Sequence, residues 1–427
     1  MTEDQAETPA PAGSVEHVVK LWNRDFLLLW QGGLVSMMGD LLYEIALGFW
    51  ILAVTGSTGM MGTLMAVSLI PRIVMAPVAG VVADRYNRKR ILVFMDLIRG
   101  ICVVLVGMAA FRGILEIWMV FAAGVVLGLC AGFFDPAVGA LFPDLVPKDK
   151  LERGNSAFAL IHSGSRIAGN SIGGFLYVTL GAPLMFLLNG ISYIFSSATE
   201  VFIRNPHREH AVKKQPFMQD LKEGYRYVWA QKGIRVLMIV GAILNFFASA
   251  GIVLLLPLFQ QDEMLGPARY GVFMAVSAVG NLLGMLLVSV RKIEPEKRFR
   301  WFIGSLLLFT MLYAVLPLVR VYPVMLALGL VCSMFNMVVN ILLQTIMQLT
   351  VDPDKRGKVF SLLSMLLSGM MPIAMAMGGW LGEFLPIPLV ISGCMVLCSI
   401  PGLFLLPNRD FREFISYDPA GGSPDPS

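Results

Sequence analysis

The stretch Gly80-Val-Val-Ala-Asp84-Arg85-Tyr86-Asn87-Arg88-Lys89-Arg90 decides how this chain is read. Four of its last six residues are basic, and apolar runs stand on both sides of it, at roughly 59–83 and 91–111. A run of about 20 apolar residues is long enough to cross a hydrocarbon core about 30 Å thick as a helix. The stretch is then a tight basic turn between two spans. Short loops rich in Lys and Arg stay on the cytoplasmic side of a membrane.

Working outward, the same alternation continues along the chain. Further apolar runs lie at roughly 26–54, 115–141, 156–180, 183–203, 235–260, 268–290, 301–318, 322–348, 358–382 and 386–406, which makes twelve spans. Hydrophobic residues form 56% of the 427 and charged residues 15%, against about a quarter charged in a soluble domain. An even number of spans returns both termini to one side. Of the 33 Lys and Arg, 27 fall on the side of the quoted turn; only Arg112, Arg269 and Arg320 fall in loops opposite, while Arg72, Arg99 and Arg166 lie within spans. This asymmetry predicts a multi-pass membrane protein with both termini cytoplasmic. The predicted fold class is all-α, with twelve transmembrane helices in two pseudo-symmetric six-helix bundles.

The expected organisation is a disordered cytoplasmic start (1–20), a first bundle (21–204), a cytoplasmic linker (205–232), a second bundle (233–407) and a cytoplasmic tail (408–427). In the linker, Phe217, Leu221, Tyr225 and Val228 recur at helical spacing beside Lys222 and Arg226. They predict a helix that either lies on the membrane surface or packs as a linker. The tail from Asp418, rich in Pro, Gly and Ser, reads as disordered. A net charge of +4 is too small to indicate nucleic acid. The cysteines Cys102, Cys130, Cys332, Cys394 and Cys398 all sit in apolar runs and suit packing. The four His are scattered and no G-x-x-x-x-G-K-[ST] loop is present. No catalytic grouping, metal site or cofactor is expected.

The two halves repeat each other. Shifted by 205 residues, Ser156, Ser163, Gly164, Gly173, Gly174 and Leu176 fall on Ser361, Ser368, Gly369, Gly378, Gly379 and Leu381, and Asp135 falls on Asn340. Matched small residues at matched depth predict matched close helix contacts. Two parallel six-helix halves would be related by an axis along the membrane normal. The quoted loop is less well repeated: Gly284, Arg291 and Lys292 hold similar places without an Asp.

Inside the spans, polar residues are few enough to weigh singly. Asp40 and Glu44 lie near the middle of the first span, four apart and so on one face. A carboxylate at the bilayer centre costs about 2.5–3.5 kcal/mol on insertion scales, so the pair is expected to face the central cavity or a neighbouring helix. Such groups can take up a proton at one membrane face and release it at the other. The alternative is a structural ion pair, with Arg72 or Arg166 as partner. Arg166 and Asn170 in span 5 could contact an anionic substrate or pair with span 1. Asn245 in span 7 and Asn336, Asn340 and Gln344 in span 10 offer neutral contacts, either to a ligand or between helices. Gly80, Asp84, Arg85, Arg88 and Arg90 are expected to form a cytoplasmic gate, with Asp96 and Arg99 as a latch near that loop and Asp135, before Pro136, taking part. Gly124, Gly128 and Gly132 are read as a helix-packing stripe. Met365, Met370, Met371, Met375 and Met377 suit packing or a soft apolar pocket.

The pattern G-x-x-x-D-R-x-x-R-K-R at 80–90 resembles the loop between helices 2 and 3 of the major facilitator superfamily. Phe26 to Asp40, Pro71-Arg72, Asp135-Pro136 with Pro143, Leu151 to Ser156 and Lys355 to Ser361 are similar to one branch of it, the bacterial exporters that include macrolide-efflux proteins and the enterobactin exporter. The resemblance implies a monomeric alternating-access carrier, commonly a proton antiporter moving small amphipathic compounds outward, in contact with membrane lipids. It implies a place in a bacterial cytoplasmic membrane, leaves open a siderophore, lipid or metabolite carrier of the same fold, and does not match Glu44 to the branch pattern. A non-transporting membrane receptor is the rival of another class. The only long polar stretch it could use for signalling is the linker.

Overall fold

The computed structural model describes residues 21–147, 150–204, 217–262, 264–291, 293–352 and 355–416. The predicted disordered start and most of the tail lie outside them. Among the described residues the first half comprises α1 (Arg24–Thr55), α2 (Thr58–Arg85), α3 (Arg88–Phe111), α4 (Ile117–Leu145) and α5 (Leu151–Glu200). After the linker helix α6 (Phe217–Ala230) come α7 (Lys232–Ile252), α8 (Leu255–Gln261), α9 (Gly266–Val290), α10 (Pro295–Val315), α11 (Tyr322–Thr350), α12 (Arg356–Phe384), α13 (Ile387–Leu405) and a short α14 (Arg409–Ile415).

The fifth and sixth spans of the sequence reading run together in α5, which is 50 residues long and breaks only at Gly181, with φ 71° and ψ 166°. Only glycine adopts this backbone without strain, and Pro183 follows two residues on. The chain therefore reverses there, and α5 is two legs, 151–180 and 182–200. Among the described residues, eleven helical segments are long and apolar enough to span a membrane. With the first leg of α5 they make twelve, and α8 completes the seventh span after a turn at Val253–Leu254.

Helix pairing repeats between halves. In the first, α1 packs on α5, α2 on α4, and α3 on α4 and α5; in the second, α7 packs on α12 and α13, α9 on α11, and α10 on α11 and α13. The aligned glycine pairs explain part of this symmetry. A Cβ on Gly173 would stand 2.2 Å from Ile45 of α1, and one on Gly378 would stand 2.0 Å from the Ala250 carbonyl of α7, so the first glycine of each pair seats its helix within its own half. A Cβ on Gly174 would meet the Pro267 carbonyl at 2.3 Å, and one on Gly379 the Thr58 carbonyl at 2.6 Å, so the second glycine of each pair faces the opposite half.

The linker helix packs and does not lie free. Val228 is buried with Ile234, Phe411 and Phe414, and Glu223 pairs with Lys358 of α12. The outward Tyr225 and Trp229 stack on each other at 5.2 Å. The sequence reading left α14 unpredicted. Its Phe411, Phe414 and Ile415 are buried against the start of α7.

Candidate functional site

The quoted turn is built by caps. α2 stops at Arg85, and the Asn87 side chain accepts from the Arg90 N–H at 3.3 Å to start α3, a standard use of Asn at an N-cap. Arg88 swings across to α4, donating to the Ala140 carbonyl at 2.9 Å and pairing with Asp144 at 2.5 Å. Arg85 and Arg90 are exposed, and a Cβ on Gly80 would meet nothing within 4 Å. The Asp84 side chain lies outside the described residues.

Asp96 and Arg99 do not sit at that loop. Asp96 is eight residues into α3, about 12 Å along the axis from Arg88. The two side chains pair at 2.6 Å with 0% and 7% exposure. The reason is the ring cage around Arg99: its guanidinium stacks over Phe134 at 4.2 Å and Tyr193 at 4.8 Å. On the other side of Tyr193 its hydroxyl donates to the Asp40 carboxylate of α1. Asp40 is half-buried, whereas Glu44, one turn on, is exposed and within electrostatic range of Tyr270 in the opposite half. Glu44 therefore looks across the interface between halves.

Arg72 pairs with Asp135 of α4 at 2.7 Å and not with the first span; the two side chains are 52% and 48% exposed. On α11, Asn340 and Gln344 are exposed and Asn336 half-buried, with Asn340 Nδ2 donating to Asn336 Oδ1 at 3.0 Å. Exposed charges and amides at membrane depth must face water and not lipid, so these residues mark an aqueous space. Asn245 is used between helices: its Nδ2 donates to the Leu367 carbonyl at 3.4 Å and its Oδ1 accepts from Ser249 at 3.0 Å. The side chains of Arg166 and Asn170 lie outside the described residues.

The halves meet at the end of the bundle remote from the basic loops. There Glu383 Oε2 of α12 accepts from Ser57 Oγ at 2.8 Å and from the Gly59 N–H at 3.1 Å. A carboxylate from one half thereby caps a helix of the other, where the helix dipole favours negative charge. Thr58 Oγ1 donates to the Gly379 carbonyl at 2.8 Å, and Trp380 Nε1 donates to Thr63 Oγ1 at 3.1 Å. Gln260 Nε2 donates to the Phe49 carbonyl at 3.2 Å. This far end is clasped shut. Arg72, Asp135, Asn340 and Gln344 are exposed at or past the midpoints of α2, α4 and α11, on the side of the basic loops.

Removing the clasp carboxylate has a measurable consequence. Losing a cap costs about 1 kcal/mol, so Glu383→Ala should raise the far-end-open population about fivefold. Spin labels at the exposed positions Val54 and Leu385, read by pulsed electron–electron resonance, should report the longer distance.

Sequence reasoning singled out Asp40, Glu44, Asp96 and Arg99 but missed Tyr193, Glu200 and the clasp. Tyr193 reads as one more apolar ring in span 6, and Glu200 reads as a boundary residue before Arg204. Only the helical spacing of Asn189, Tyr193, Ser196 and Glu200 on one face of span 6 could have drawn attention to them.

Several known proteins are similar to this chain. Macrolide efflux protein A of Streptococcus pyogenes is 25% identical over 388 residues, covering 88% of this chain and 94% of that protein. Multidrug efflux pump Tap of Mycobacterium bovis is 24% identical over 400 residues, covering 88% and 93%. A bacterial homologue of the human lysosomal transporter Spinster, solved inward-facing and unoccupied, superposes with a TM-score of 0.70 at 15% identity over 93% of this chain and 99% of that one. The family model described as Major Facilitator Superfamily matches residues 29–375. With that match on twelve helices in two repeated halves, this chain belongs to the Major Facilitator Superfamily and is a membrane transporter.

Proposed function

We propose that the protein is a proton-coupled exporter of small amphipathic compounds, working as a monomer by alternating access in a bacterial cytoplasmic membrane with both termini cytoplasmic. The observation that carries this reading is the placement of two carboxylates halfway along α1. Glu44 is exposed toward the interface between halves and Asp40 is half-buried behind it on Tyr193. A carboxylate at that depth is costly unless it serves an ion path, and exposed polar residues of α2, α4 and α11 continue from this pair toward the basic loops, while the far end is held by hydrogen bonds between the halves.

The export direction is supported by the relatives named as macrolide and multidrug efflux proteins. The basic loops support the orientation. In this reading the far-end clasp closes the outer side while the inner side is open. Substrate enters between the halves beside Glu44, with Asn336, Asn340 and Gln344 on the opposing wall. Arg166 and Asn170 on α5 are assigned to the same cavity, and Gly80, Asp84, Arg85, Arg88 and Arg90 to the inner gate, with Arg72–Asp135 at its mouth. Moving one proton down a potential of 100 mV releases about 2.3 kcal/mol, enough to support outward pumping.

The test uses purified protein in liposomes with an imposed pH gradient and radiolabelled erythromycin as probe. Glu44→Gln and Asp40→Asn should each reduce gradient-driven accumulation at least tenfold. Undiminished accumulation by Glu44→Gln removes that residue from the mechanism.

A further inference from the structure

A second group of buried acids lies behind Asp40, away from the substrate space. Tyr193, Ser196 and Glu200 share one face of the second leg of α5, packed against α1 and α3. Glu200 is 1% exposed; Ser196 Oγ approaches its Oε1 at 3.5 Å, and Oε2 has no hydrogen-bond partner among the described residues. Asp96, wholly buried on α3, lies beside the same Ser196. Among the described residues, the charged and titratable groups of the cluster are Asp40, Tyr43 and Glu44 from α1, Asp96, Arg99 and Cys102 from α3, Cys130 from α4, and Tyr193 and Glu200 from α5. Arg99 is the one cation among them. It pairs with Asp96, stacks on the ring whose hydroxyl holds Asp40, and acts electrostatically on Glu200 as well.

We propose that Glu200 is a second proton-carrying group of the transport cycle, coupled to Asp40 through Arg99. One guanidinium cannot neutralise three carboxylates, two of them sealed in the interior and the third half-buried, and each uncompensated buried charge is expensive. With Asp96 held as the partner of Arg99, only one of Asp40 and Glu200 can stay ionised. When Asp40 takes up a proton from the substrate space, the field of Arg99 turns to Glu200, which releases its proton toward the basic end of the helix. When Asp40 gives its proton up, Glu200 takes one back. One O–H bond forms as another breaks, and the net charge of the cluster is unchanged. Tyr193 and Glu200 stand about 10 Å apart along the helix, too far for a direct hydrogen bond, so the coupling is electrostatic and each acid exchanges its proton at its own end of the cluster. Arg99 and Tyr193 are positioning residues in this scheme.

The inference rests on the proton-coupled reading above, and the experiment separates the two. Glu200→Gln keeps the size and hydrogen-bonding capacity of the side chain and removes the titrating proton. In liposomes loaded with erythromycin, it should lower pH-gradient-driven transport at least fivefold more than erythromycin counterflow, and Glu200→Asp should restore the gradient-driven rate. Equal rates in wild type with and without a gradient would overturn the proton-coupled reading and this inference together. A gradient-driven wild type with an equally driven Glu200→Gln would overturn this inference alone, as would equal loss of both modes without rescue by Asp. A substrate-free readout is the infrared pH-difference spectrum of the purified protein. Glu200→Gln should remove one protonated-carboxyl band, and Asp40→Asn should move the pH at which that band titrates. A band absent in wild type or indifferent to Asp40→Asn refutes the coupling.

Discussion

Gly62→Val should abolish transport while leaving the protein folded. A Cβ at Gly62 would stand 2.5 Å from the Met375 carbonyl and 3.0 Å from Gly379 Cα, backbone against backbone across the two halves. Neither atom belongs to a flexible side chain, so the helices must part. Overpacking of this kind costs typically 1–3 kcal/mol and occasionally more. Here the strain falls on one conformation only, because the far end can simply open. A penalty of about 3 kcal/mol depletes the shut state roughly a hundredfold, and a cycle that must pass through that state slows to match. The same label pair at Val54 and Leu385 should show the far end parted, and thermal stability in detergent should change little. A labelled distance identical to wild type would count against the rocking interface. The matching substitution Gly378→Val, facing Ala250 within one half, should instead destabilise the protein, because no functional motion relieves that clash.

The second large effect is on stability. Arg99→Leu leaves Asp96 wholly buried without its partner and Glu200 and Asp40 without their shared cation. Removing one member of a buried pair costs about 3–5 kcal/mol, so the midpoint of thermal unfolding in detergent should fall sharply and expression with it. The double variant Arg99→Leu with Asp96→Asn should recover most of the loss, since the stranded charge is gone. Arg99→Lys should recover only part, because an ammonium cannot stack between the Phe134 and Tyr193 rings as a planar guanidinium does. An Arg99→Leu protein as stable as wild type would show that the pair holds nothing together.

Much of this architecture was legible in the sequence because a bilayer imposes it. The run lengths gave the spans, and the 205-residue repeat led to the glycine pairs that the structure places on matching contacts. What was not legible depends on which face of a helix meets which neighbour. Span hydropathy is blind to rotation about the helix axis, so Asp96 and Arg99 read as neighbours of the quoted loop when they are turned inward onto Phe134 and Tyr193. For the same reason Arg72, first considered as a partner for span 1, pairs with Asp135. The clasp was invisible for another reason: Ser57, Thr58 and Glu383 are ordinary loop-edge residues until two segments more than 300 positions apart meet. Gly181 reads as a loop glycine until its positive φ shows that a single residue turns the chain from one span to the next.

The position of the clasp has a mechanical consequence. With the halves joined near residues 57–63 and 379–383, the contacts that hold the shut state lie at one tip of α2, a helix of 28 residues and about 42 Å long. A half that rocks about its middle therefore carries the clasp at the end of a lever arm of about 21 Å. A tilt of about 10° moves that tip by about 4 Å, enough to break every hydrogen bond of the clasp at once, while the opposite tip swings the other way by as much. The small residues at 62 and 379 let two backbones touch only at the end of that stroke, so they act as the stop against which the swing comes to rest.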